Sequence, residues 1–118
     1  MTEIRLNAYH VMWLFVFFDL PVVTTIERRQ AMLFRKNLEK DGFSMMQYSV
    51  YIRHCGSRES LDVHVQRVKG MIPKEGNVSI LAVTDKQYSN IYNFTNVQKN
   101  HKKKVNIIRK EPVQLELF

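Results

Sequence analysis

Eight consecutive apolar residues, Val11-Met12-Trp13-Leu14-Phe15-Val16-Phe17-Phe18, end abruptly in Asp19, and Pro21 follows two positions later. An unbroken run of this kind predicts a strand covered on both faces, hence one in the middle of a sheet. Proline lacks the N–H that a ladder requires, so the strand stops before Pro21 and leaves Asp19 at its C-terminal edge. The run is too short to span a bilayer, which takes about 20 residues as a helix. It also lacks the small-residue cleavage site of a signal peptide. The expectation is a cytoplasmic protein with no membrane partner.

The next segment carries its own start signal. Thr24 and Glu27 have the spacing of a capping box, in which each side chain satisfies a free backbone N–H of the other. A helix is expected from about Thr25 to Lys40, with Ala31, Phe34 and Leu38 as its buried stripe. Asp41-Gly42 closes it, Gly42 being free to take a left-handed cap. Met45 to His54 then alternates, with Met46, Tyr48, Val50 and Ile52 on one face and Gln47, Ser49, Tyr51 and Arg53 on the other. It reads as one strand with a core face and a wetter face. A second helix is expected from about Arg58 to Met71, capped by Ser57 and ended by Pro73. Val78 to Val83 is a third strand, Val105 to Ile108 a fourth and Val113 to Leu117 a short fifth. Between Tyr88 and His101 the pattern fits a loop or a short helical turn equally.

This order predicts an α+β fold, a single ferredoxin-like β-α-β-β-α-β plait over residues 1–118 with an extra C-terminal strand at 113–117. In the expected variant the third core strand follows the second helix and the fourth comes late. One Cys, Cys55, excludes a disulfide framework and a multi-Cys zinc site, and the four His have no ligand spacing. No phosphate-cradling glycine loop or nucleophile motif is present.

Charge points to an anionic partner. Lys and Arg number 18 against 11 Asp and Glu, a formal charge of +7. Six basic residues and no acid lie in the segment 99–110, including Lys102, Lys103 and Lys104. On the first helix Arg28 and Arg35, like Arg29 and Lys36, are seven apart and share a face, a row that can grip phosphates. A solvated, solubilising surface is the plain alternative for both sets.

Asp19 is the one carboxylate in an unusual place, where burial would disfavour its charge; capping the Pro21 turn is the plain alternative. Mg²⁺ takes several oxygen ligands, so one carboxylate makes a poor site alone. A two-fold homodimer would bring two copies of Asp19 together.

Several segments together resemble the family of CRISPR-associated protein two, the small subunit of the CRISPR spacer-acquisition complex. They are Met12 to Pro21, Phe34-Arg35-Lys36, Asp41-Gly42-Phe43, Gln47-Tyr48-Ser49-Val50-Tyr51, Pro73 to Val78 and Thr84 to Tyr88. The Trp13 strand, Asp19-Leu20-Pro21 and the tail Gln114-Leu115-Glu116-Leu117-Phe118 look most like members from type II systems. The resemblance implies a ferredoxin-like homodimer described in many members as a Mg²⁺-dependent endoribonuclease or DNase, with Asp19 as the catalytic and metal-binding aspartate. It also implies a dimer that bridges two dimers of the CRISPR integrase, CRISPR-associated protein one, and helps to hold the duplex DNA (prespacer) that becomes a spacer. The basic segment and the apolar tail residues Leu115, Leu117 and Phe118 suit that bridging role, the tail as a docking strand. Two other readings share the fold: a toxin-type ribonuclease that uses Asp19 without an integrase, and a non-enzymatic RNA-binding module. The latter wants paired aromatics on an open sheet face, and Tyr51 is the only clear candidate, so this reading ranks last.

Overall fold

A computed structural model of the protein describes residues 12–95. The elements in order are β1 (Met12–Asp19), α1 (Thr25–Lys40), β2 (Ser44–Gln47), β3 (Val50–Cys55), α2 (Arg58–Met71), β4 (Asn77–Thr84) and the single turn α3 (Asp85–Tyr88). The strands form one sheet in the order β2-β3-β1-β4, with every neighbouring pair antiparallel. With α1 and α2 as the crossovers, this is the expected ferredoxin-like plait, β1 lying at its centre.

Local chemistry sets the helix limits. Thr24 and Glu27 form the reciprocal capping box, and Ser57 accepts from Ser60 N–H at the start of α2. Asp41 N–H donates back to Asn37 and Leu38, and Gly42 turns the chain out of α1 at φ +90°. Both helices cover one face of the sheet. Met12, Leu14, Val16 and Phe18 of β1 pack there against Phe34 and Leu38 of α1 and Leu61 and Val68 of α2. Four of these, Leu14, Val16, Leu38 and Val68, have no exposed surface, and burying each stabilises the fold by roughly 1.5–3 kcal/mol.

Two expectations change. Met45 to His54 is not one strand but two, β2 and β3, which reverse at Tyr48-Ser49 and pair across a register shift between Met45 and Gln47. The turn lacks Gly, Pro and Asn because its ties come from elsewhere: Phe18 N–H donates to Ser49 C=O at 3.1 Å, and the Arg35 guanidinium donates to Tyr48 C=O. The reversal also inverts the facing. Tyr51 is buried in the core and Tyr48 is exposed, opposite to the alternation read through a continuous strand. Secondly, four strands are complete by Thr84, so the plait needs no late strand. Val105–Ile108 and Val113–Leu117 lie outside the described residues, as do Lys102, Lys103, Lys104, Leu115, Leu117 and Phe118. Among the described residues no helix is long and apolar enough to cross a membrane.

Candidate metal centre at the end of the central strand

Along β1, even-numbered residues face the helices, and the odd series Trp13, Phe15, Phe17 and Asp19 faces away from them. Asp19 closes β1 opposite Asn77, the last pair of the β1–β4 ladder. It is exposed, so the burial expected to act on its charge is absent. Its backbone, by contrast, is held on both sides. Phe18 N–H is tied to the β2–β3 turn, and on the β4 side the chain at Gly76 passes so close that a Cβ there would lie 2.9 Å from the Asp19 carbonyl oxygen. Behind that peptide lies a cleft of about 410 Å³ between the start of α1 and the end of α2, with Leu20, Ile26, Ala31, Ile72 and Pro73 among its walls.

Among the described residues no three or more His, Cys, Asp or Glu side chains converge. One chain therefore offers no cage for a cation. A single exposed carboxylate on a fixed strand end does fit as half of a Mg²⁺ site, since Mg²⁺ keeps several waters and takes one or two carboxylates. The surface bearing Asp19 is apolar. Phe17 is 38% and Leu81 49% exposed on it, and Val50 and Ile52 of β3 stand directly opposite Phe17 and Phe15. The far end of this face is covered by α3. Trp13 Nε1 donates to Asp85 Oδ1 at 2.7 Å, and its ring stacks on Tyr88 at 3.9 Å and meets His54 edge-on at 4.9 Å. Burial, and then the nearby Asp85 carboxylate, push the Tyr88 hydroxyl above its ordinary pKa.

The basic residues of α1 separate into two kinds. Arg28 folds back on the helix start, donating to the Val22 and Val23 carbonyls at 3.2 and 2.8 Å and to Thr25 Oγ1 at 3.2 Å. Arg35 is held between two rings, its guanidinium carbon 3.7 Å from the Tyr48 centroid and 4.9 Å from that of Phe18. Arg29 and Lys36 are exposed and make no hydrogen bond or ion pair among the described residues. Tyr51 is buried, so it offers no stacking platform to a base.

Sequence reasoning reached Asp19 but not its setting. The turn through Ser49 and the close approach of Gly76 are tertiary contacts, for which Pro73-Lys74-Glu75-Gly76 was the one available turn signal. Nor did it reach the polar junction between the helices. Asp41 Oδ2 lies 2.6 Å from His64 Nδ1, and Asp41 Oδ1 accepts from Arg67 at 2.8 Å. Arg53 Nε donates to Asp41 C=O at 2.8 Å, and His64 packs edge-on to Phe43. Burial raises the Asp41 pKa, but the hydrogen bonds and charges of His64 and Arg67 outweigh it and leave it below the ordinary 3.8. Cys55 is a buried free thiol, pushed up chiefly by burial, as expected of an inert residue.

Comparison with known proteins bears on the family of the chain and on its fold. Residues 12–91 match a family model described as CRISPR associated protein Cas2. The chain is 45% identical, over 97% of its length and 94% of the relative's, to a protein of Flavobacterium psychrophilum named CRISPR-associated endoribonuclease Cas2. A protein of the same name from Parvibaculum lavamentivorans is 43% identical over 91% of this chain and its own full length. A solved structure, "Crystal structure of cas2", superposes with a TM-score of 0.51 at 20% identity, covering 78% of this chain and 92% of that one. That likeness carries the fold.

Proposed function

The chain belongs to the CRISPR-associated protein Cas2 family, and on that premise we propose that it acts in spacer acquisition as a two-fold homodimer that bridges dimers of the CRISPR integrase and holds duplex DNA. In this reading the dimer also carries a Mg²⁺ site made by two copies of Asp19, where RNA or DNA is cleaved. One observation carries the dimer and the site together: Asp19 stands at the rim of the same sheet face on which Phe17 and Leu81 are exposed. An isologous contact pairs residue i with j and j with i, and only residues beside the two-fold axis meet their own copies; in this reading the axis passes beside Asp19. Packing two such faces about a two-fold axis removes apolar surface from water and brings the two carboxylates toward each other.

The paired Asp19 carboxylates would hold the cation, which when bound supplies Lewis-acid polarisation of a phosphoryl oxygen. Asp19 would fix the cation's place because its backbone is held by pairing with Asn77 on one side and by the Phe18–Ser49 hydrogen bond on the other. Arg29 and Lys36, whose charges are unspent among the described residues, offer phosphate contacts that locate a backbone without reading its bases. The endoribonuclease named in the relatives supports the cleavage half of the reading. The net charge of +7 supports the nucleic-acid half.

The test compares wild type with Asp19→Ala on single-stranded RNA and duplex DNA, with Mg²⁺ or with chelator, and in spacer integration with the integrase. Wild-type cleavage should need Mg²⁺ and be lost in Asp19→Ala, while integration persists in both. Undiminished cleavage by Asp19→Ala overturns the site, and loss of integration by folded Asp19→Ala overturns the bridging role.

A further inference from the structure

We infer that Gly76 is a positioning residue for Asp19, an assignment that rests on the reading of Asp19 as the metal-holding carboxylate. Gly76 precedes β4 in the turn that follows α2, and its φ is +107°, a backbone conformation that residues with a Cβ rarely adopt. Space is as restrictive as conformation. A Cβ at this position would lie 2.9 Å from the Asp19 carbonyl oxygen, 3.1 Å from Leu20 Cα and 2.7 Å from Leu20 Cδ2. The Leu20 methyl can rotate away. The other two atoms are main chain on either side of the Asp19–Leu20 peptide bond, and they yield only if that peptide moves.

That peptide has little freedom to move harmlessly. Asp19 pairs with Asn77 on one side, and on the other Phe18 is hydrogen-bonded to Ser49. Displacing the Asp19 carbonyl turns the peptide about these two anchors and carries the Asp19 Cα, and with it the carboxylate, off its place on the outer face. A site built from two symmetry-related carboxylates suffers the displacement twice. The absent side chain at position 76 thus sets where the ligand oxygen stands, although Gly76 itself touches neither cation nor substrate.

Gly42 provides a matched comparison. It too has positive φ, at +90°, but the three atoms nearest to a Cβ there all belong to the Arg53 side chain, Nε at 2.9 Å, at the other end of α1 from the Asp19 turn. Gly42→Ala and Gly76→Ala therefore strain the backbone in the same way, and only the second presses on Asp19.

The experiment titrates Mn²⁺, as a paramagnetic stand-in for Mg²⁺, into the full-length chain and follows broadening of the Asp19 and Leu20 amide resonances well below the melting temperature. Wild type should broaden saturably and Asp19→Asn should not. Gly76→Ala should raise the apparent dissociation constant about tenfold or more, within the range seen when a ligand's supporting contacts are removed. Gly42→Ala should leave it within twofold of wild type. Gly76→Asn is the second variant, since Asn tolerates positive φ better than Ala while still placing a Cβ against the Asp19 carbonyl. It should weaken Mn²⁺ as Gly76→Ala does. An unchanged constant in whichever Gly76 variant folds, or equal weakening in Gly42→Ala, overturns the assignment while the metal site stands. Absence of broadening in wild type overturns the metal site, and the assignment with it.

Discussion

Replacing Asp41 by Asn tests how strongly the helix junction holds the fold. The substitution keeps the shape and one acceptor but removes the charge that His64 and Arg67 share. The His64 and Asp41 side chains are 9% and 8% exposed, so their 2.6 Å contact is a buried one, whereas Arg67 is 58% exposed. The Arg67 share is at most about 1 kcal/mol, as for other exposed pairs. A buried hydrogen bond to a charged group contributes about 1.5–3 kcal/mol. Because Asn retains an acceptor, Asp41→Asn should cost about 2–3 kcal/mol at pH 7. In a domain of this size that is a fall of about 10–20 °C in melting temperature.

The pH dependence gives the charge its own signature. The folded-state pKa of Asp41 is depressed below 3.8, so its stabilising effect is fully present above the unfolded value and is lost as pH falls through the folded one. Urea titrations at one protein concentration, from pH 7 to pH 3, should show the difference between wild type and Asp41→Asn shrinking only below about pH 4. A difference under about 0.5 kcal/mol at pH 7, or one equally large at pH 3 and pH 7, would refute the reasoning. The first outcome would mean that burial offsets the pair, and the second that shape rather than charge is responsible.

Two further perturbations address the surfaces. Phe17→Glu or Leu81→Glu should convert the proposed dimer to single chains in light scattering at micromolar concentration, because each places a charge on the exposed apolar face on which the two copies would pack; a wild-type protein that is already single would end the two-fold reading. Replacing Lys102, Lys103 and Lys104 together by Ala should flatten the log–log salt dependence of duplex binding by up to about three units, at about 0.9 per phosphate contact, equally for unrelated DNA sequences. Arg29→Ala with Lys36→Ala should act in the same direction, and unchanged slopes in both sets would leave these residues as solvated charge.

What could be read from the chain follows the range of the forces involved. The limits of α1 depend on Thr24, Glu27 and Gly42, all within a turn of the helix they bound, and the sequence alone places them. The centrality of β1 is legible because an unbroken apolar run leaves no wet face to assign. The β2–β3 reversal is not legible, since its ties come from Phe18 and Arg35, 31 and 13 positions away from their partners Ser49 and Tyr48. Without Gly or Pro at the turn, alternation ran through it unbroken and put Tyr51 on the wrong face. Asp19 was visible as a charge ending an apolar run. Its surroundings were not, because the close approach of Gly76 is a tertiary contact, and His64 reads like any other helical His until the fold sets Asp41 beside it.

The docking of α3 across the outer face leaves the protein with an internal optical probe. Trp13 is the only tryptophan in the chain, and it stands between the Tyr88 ring, the His54 edge and the Asp85 carboxylate. Its emission therefore comes from a single environment, on the same strand and the same face as Phe17 and Asp19. Release of α3 would break the indole hydrogen bond and the stack, shifting the emission to the red as water reaches the ring. A partner laid over the same face would shield the ring and shift it to the blue. Covering and uncovering of this surface can thus be followed in unlabelled protein, in real time and in opposite spectral directions.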